Sequence, residues 1–195
     1  MGTIVISENV SLDGVIQDPA GDEGFRVGGW VGLIKDSPQL NKLALDEALG
    51  AEALLLGRRS YEWFAARWPS RSGELADRLN NLPKYVVSST LEDPAWNNST
   101  VLKGGDPVAE VSKLRQDLAG KILVPASFQL LRALMEHDLV DELRLKIFPV
   151  VLGPVNASSA RPATRNLCAS STRRLLMMAS PSSPTRPGAP LEIRE

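Results

Sequence analysis

From Thr3 to Gly153 the chain alternates short apolar runs with stretches whose apolar residues recur at helical spacing. That alternation limits the possible folds more than any other feature. Thr3–Ser7, Ala53–Leu56, Lys84–Ser88, Thr100–Leu102, Ile122–Val124 and Glu142–Pro149 read as strands, the last running into Val150-Val151-Leu152-Gly153. Pro38–Leu49 carries Leu40, Leu43, Ala44 and Ala48 on one helical face, with Gly50 as its stop. Further helices are expected over Ser60–Trp68, over Gly73–Asn81 before the breaker Pro83, over Pro107–Leu118 with Asp106 as cap, and over Phe128–Glu136. Such an order implies an α/β fold: a largely parallel sheet with helices on both faces. Ligands of such sheets bind beyond the carboxyl ends of the strands.

Three of those ends carry small or phosphate-compatible groups. In Ala53-Leu54-Leu55-Leu56-Gly57-Arg58-Arg59-Ser60 a buried-type strand stops at a glycine where a helix begins. Without a Cβ, Gly57 lets another group approach the backbone. A helix opening there aims free N–H groups above the strand end, and Arg58 and Arg59 suit a phosphate that they grip as a fork. The alternative is a plain strand–helix turn with solvated arginines. Ser88-Ser89-Thr90 and Pro125-Ala126-Ser127 fall at two other strand ends and favour the ligand site.

Composition removes other chemistries. The formal net charge of −1 gives no global attraction to nucleic acid or to an acidic membrane. No apolar run approaches the ~20 residues that span a bilayer, and the N-terminus has no signal-peptide pattern. With a single cysteine, Cys168, no internal disulfide forms, and a cytoplasmic location is expected. His137 is the only histidine, so a His/Cys metal site is not expected, while Mg²⁺ held by carboxylates alone stays open. His137 falls at a helix end, where a cation complements the dipole. Neither GxGxxG nor GxxxxGK[ST] occurs.

After Gly153 the composition changes. Residues 154–195 hold six arginines, no lysine, two acids, six prolines and seven serines, a charge of +4 that leaves −5 on the body. The only compact apolar group there is Leu175-Leu176-Met177-Met178-Ala179. Prolines specify strand pairing poorly, so this tail reads as irregular, with Leu175–Ala179 as a candidate edge strand. A shifted reading frame in GC-rich coding sequence produces such a change. The boundary divides the chain into 1–153 and 154–195.

Six stretches in order resemble the dihydrofolate-reductase-like proteins of the RibD C-terminal domain family, relatives of the riboflavin-pathway reductase. They are Ser11-Leu12-Asp13-Gly14-Val15-Ile16, Gly28-Gly29-Trp30, Leu55–Tyr61, Leu82–Ser88, Trp96–Thr100, and Glu136–Arg144 running into Phe148–Gly153. The resemblance implies a dihydrofolate-reductase-like twisted sheet, a homodimer, and NADPH as hydride donor to a small pyrimidine- or pterin-like substrate. It places Gly57, Arg58, Arg59 and Ser60 around the 2′-phosphate and Ser88 and Ser89 beside the adenosine. Val10 would lie against the nicotinamide, with Trp30 on the loop covering it. Asp13 either steers substrate or nicotinamide, or caps its own turn ahead of Gly14. Ala126 and Ser127 fall where the family has a glycine-containing turn for the pyrophosphate. Here Pro125 removes an N–H, and Ala126 and Phe128 add bulk, which predicts weaker binding. The family's terminal glycine- and lysine-bearing loop and strand pair are not recognisable after Gly153. A reductase is the leading reading; an impaired or nonenzymatic nucleotide-binding protein on the same fold is the alternative.

Overall fold

The computed structural model describes residues 1–34, 37–153 and 174–177. Seven strands form one sheet in the order β4-β3-β2-β5-β1-β6-β7, and every pairing is parallel. The strands are β1 (Thr3–Ser11), β2 (Ala51–Gly57), β3 (Lys84–Val87), β4 (Ser99–Leu102), β5 (Lys121–Pro125), β6 (Glu142–Phe148) and β7 (Arg174–Met177). The helices among the described residues are α1 (Pro38–Leu49), α2 (Arg58–Ala65), α3 (Glu74–Asn81), α4 (Pro107–Asp117) and α5 (Phe128–Glu136), with a 3₁₀ turn over Trp30–Leu33.

Side chains alternate across a strand, and here the alternation builds two cores. Ile4, Ile6, Leu55, Ile122 and Val124 meet α4 and α5 through Val111, Leu114, Leu130, Leu131 and Leu134. Val5, Leu54, Leu56, Val86 and Leu123 face the other way, onto Ala48 of α1, Tyr61 of α2 and Leu79 of α3. The dihydrofolate-reductase-like α/β architecture read from the sequence is the one observed. Two helix starts follow their signals: the Ser37 hydroxyl accepts from the Leu40 amide, and Asp106 accepts from Val108 at 2.9 Å.

Four elements differ from expectation. β1 continues past Ser7 to Ser11, because Glu8–Ser11 pair with Leu145–Phe148 although their side chains are largely polar. α2 begins at Arg58 directly after the extended Gly57, and ends at Ala65, where turn bonds to the Phe64 carbonyl replace the helix. The 3₁₀ turn at Trp30 carries no periodic signal. In the tail, Arg174–Met177 form β7 beside β6, from Arg144↔Arg174 to Ile147↔Met177. The irregular reading is therefore corrected for these four residues, three of which belong to the candidate edge strand Leu175–Ala179: the outer edge of β6 offers a ladder that backbone alone satisfies. The rest of 154–195 lies outside the described residues.

Candidate functional site

With all strands parallel, their carboxyl ends gather along one edge. β1 pairs with β6 from Val5 to Ser11, but with β5 only from Thr3 to Ser7. Beyond Ser7 the sheet therefore splits between β1 and the β5–α5 turn. α2 opens on one flank of that turn, and its Gly57 N-cap offers no side chain. α5 opens from Ser127, whose hydroxyl does not cap it. Neither helix has an acid in its first turn, in contrast to α3 with Glu74 and Asp77. Both leave the positive end of their dipole uncompensated by the chain's own first-turn carboxylates.

The hydroxyls that would otherwise cap these helices tie the two turns together. Gly57 N–H donates to Ser127 Oγ at 3.0 Å, Ser127 Oγ donates to Ser60 Oγ at 2.8 Å, and Ser60 donates to the Ala126 carbonyl. A Cβ on Gly57 would lie 3.2 Å from Ser127 Oγ, so glycine is what permits this approach. Ala126 sits at φ +39°, in the left-handed region that favours glycine. Arg58 joins β2 to the β3 end, donating to Glu62 at 2.7 Å and to the Thr90 hydroxyl. Arg59 is exposed and has no partner among the described residues. Ser88 is buried and accepts from the amides of Thr90 and Leu91 at 3.2 and 3.0 Å, while Ser89 is exposed.

A second group gathers at the end of β1. Val10 is half-buried opposite Ile147. Asp13 accepts from the Ser11 hydroxyl at 2.6 Å and from the amides of Leu152 and Gly153. The Ser11 hydroxyl foremost, with those amides, holds its carboxyl below the ordinary aspartate value. The turn following β1 is thereby clamped to the segment following β6. Trp30 is 1% exposed; its indole N–H donates to the Gln17 carbonyl at 3.0 Å and its ring packs edge-on against Phe148. In this conformation the indole anchors its loop and presents no free face. The same loop is knotted around the buried Asp18, which accepts from the amides of Glu23 and Phe25. Asp22 pairs with Arg67 at 2.8 Å and accepts from the Trp63 indole, tying the loop to α2. Asp36 lies outside the described residues. His137 follows α5 as its C-cap, with Nδ1 2.9 Å from the Ala133 carbonyl.

The residue that joins the two groups is Glu8, which sequence reasoning missed. It is 3% exposed and lies at the split, accepting from the Asn9 amide at 2.9 Å and lying beside the Ser127 amide at the start of α5. Burial pushes its carboxyl up to about 7, against the smaller opposing effects of those amides and of Lys146. The available signal was an acid inside Val5-Ile6-Ser7-Glu8-Asn9-Val10, a central strand where ionisable groups are rare. Glu47 was missed as well. On the opposite sheet face it accepts the Ser7 hydroxyl at 2.8 and 2.9 Å and lies 3.5 Å from Lys146 and 3.6 Å from Arg144. Paired chiefly with Glu142, Arg144 is held more strongly protonated than an ordinary arginine.

A seven-stranded parallel sheet with polar turns at its carboxyl edge defines an α/β protein, with the split between its strands as the candidate site. More narrowly, the sequence profile of the RibD C-terminal domain family matches residues 2–173, and the chain belongs to that family. It is similar to YyaP of Bacillus subtilis (strain 168), an uncharacterized protein, with 27% identity over 158 residues, covering 77% of this chain and 76% of that one. No helix among the described residues is long and apolar enough to cross a membrane.

Proposed function

We propose that the chain is an NADPH-dependent reductase that delivers a hydride to a C=N or C=O of a small pyrimidine- or pterin-like substrate. The observation that carries this is the split between β1 and β5, flanked by two helix N-termini with no acid in their first turns. The donor set fits the phosphate end of a dinucleotide. Arg59 is free to pair with a 2′-phosphate and Arg58 is half-committed to Glu62 and Thr90. The first turn of α5, with no side-chain cap and no acid of its own, suits a diphosphate. Val10, on the strand edge beyond Ser7, supplies an apolar wall for a nicotinamide ring. NADPH carries the redox chemistry when bound; the protein's part is to bind, orient and exclude water.

A specific observation favours the alternative of impaired binding. Ala126 holds a left-handed conformation, and the Gly57–Ser127–Ser60 bonds already use groups of the turn. Titration of the full chain with NADPH, followed by nicotinamide fluorescence, separates the readings. Saturable binding together with NADPH oxidation by a pyrimidine or pterin acceptor supports the reductase. Binding without turnover supports the alternative, and absence of binding refutes both.

A further inference from the structure

Glu8 is a carboxylate in a place that disfavours one. It sits in a central strand, nearly sealed from solvent, and no cation lies within ion-pair distance of it among the described residues. The charged groups of the surrounding elements are engaged elsewhere or act only through space. From β6, Lys146 acts on it through space while lying 3.5 Å from Glu47, and Glu142 and Arg144 pair with each other on the opposite face. From α5, Arg132 and Glu136 pair with each other at the surface. β5 carries only Lys121, at its far end. Arg58 and Arg59 of α2 are exposed. What holds Glu8 is backbone: the Asn9 amide donates to it, and the Ala126 amide donates to the carbonyl of the adjacent Ser7 at 3.2 Å, which sets Glu8 beside the Ser127 amide. The Ser127 amide belongs to the turn that, on the cofactor reading above, receives a diphosphate.

We propose that Glu8 takes up a proton when a dinucleotide diphosphate docks at the start of α5, and so sets the pH range in which the cofactor is held. This rests on the NADPH reading. A diphosphate brings negative charge beside a desolvated carboxylate, and two such charges in one poorly solvated site repel strongly. Protonation removes the conflict. One proton passes from solvent to a Glu8 carboxyl oxygen, the carboxyl becomes a donor, and the Ser127 N–H donates to a phosphate oxygen with no carboxylate charge beside it. The Asn9 N–H keeps a carboxyl oxygen as acceptor.

Calorimetric titration of the full chain with NADPH tests this, run between about pH 7 and pH 9 in two buffers of different ionisation heat. In that range the 2′-phosphate, whose second pKa is about 6, is already fully charged and adds little. The expected result is uptake approaching one proton per bound cofactor and an affinity that falls up to about tenfold per pH unit. Glu8→Gln, an uncharged replacement of the same shape, is expected to bind with neither dependence. Binding with no proton uptake, or the same uptake in Glu8→Gln, overturns the proposal and spares the cofactor reading. Absence of NADPH binding in both proteins overturns that reading and this proposal together. Should the variant fail to fold, the proton count on the unaltered chain decides alone.

Discussion

Replacing Glu8 by glutamine stabilises the fold above neutral pH, and the sign follows from burial. The native carboxyl binds its proton up to about pH 7, whereas the unfolded chain releases it near the ordinary 4.5. Between those values the native state holds more protons than the unfolded one, so Glu8's contribution is present in full below 4.5 and is lost as pH rises to 7. A displacement of about 2.5 units at 1.36 kcal/mol each sets an upper figure of about 3 kcal/mol. Glutamine carries no charge to desolvate, and its amide oxygen still accepts from Asn9. Relative to the unaltered chain, Glu8→Gln is therefore close to neutral at pH 4.5 and more stable by up to about 3 kcal/mol at pH 8. In a chain of this length that is a rise of roughly 6–12 °C in Tm. Urea or thermal unfolding of both proteins at the two pH values measures the double difference, which cancels every other titrating group. A double difference near zero, or a variant less stable than the parent at pH 8, refutes the assignment of Glu8 as a buried carboxylate that its surroundings fail to compensate.

Arg59→Ala removes more of the preference for NADPH over NADH than Arg58→Ala does, because Arg58 is engaged by Glu62 and Thr90. The expected loss, read from paired fluorescence titrations, is ten- to a hundredfold, from a charge-assisted contact of about 1.5–3 kcal/mol. Ala126→Gly relieves the left-handed strain at φ +39° and raises stability by about 1 kcal/mol. The same change tightens NADPH binding if this turn receives the diphosphate; unchanged affinity removes the turn from the site. Lys84→Met costs about 3 kcal/mol in urea unfolding, since the ammonium caps the carbonyls of Asn80, Leu82 and Asn97 under the face of Trp96 and methionine leaves them unpaired. Burial lowers the Lys84 value to about 8, so the unaltered chain gains stability as pH rises from 8 toward 10.5, a gain that the methionine variant lacks.

Local signals carried the elements whose ends are marked by chemistry. α1 and α5 begin and end where the sequence places them, because Pro38 and Gly50 bound one, and Ser127 and His137 the other. The full length of β1 was hidden because Glu8 and Asn9 earn their place through neighbours far along the chain. β7 was legible only as the candidate edge strand Leu175–Ala179; its observed bounds depend on the free ladder that β6 offers rather than on a pattern of its own. Of the site, the strand-end turns at Gly57, Ser88 and Ala126 were legible. Their interlocking through Ser60 and Ser127, the commitment of the Trp30 indole to the loop interior, and the carboxylate at the sheet split were not. Those depend on which backbones end side by side, and a one-dimensional pattern carries no record of that.

The position of β1 between β5 and β6 also dictates when the sheet is completed. Thr3 pairs with Lys121 and Val5 with Glu142, so β1 meets both of its neighbours only after a long stretch of intervening chain has been made. Pairings this distant in sequence slow folding, because the intervening loop must close before any contact repays it. Until then Ile4, Val5 and Ile6 form an unshielded β-prone segment, open to association with another chain. Low temperature during synthesis, or a chaperone able to hold the N-terminal segment, would then govern yield more than the stability of the finished fold.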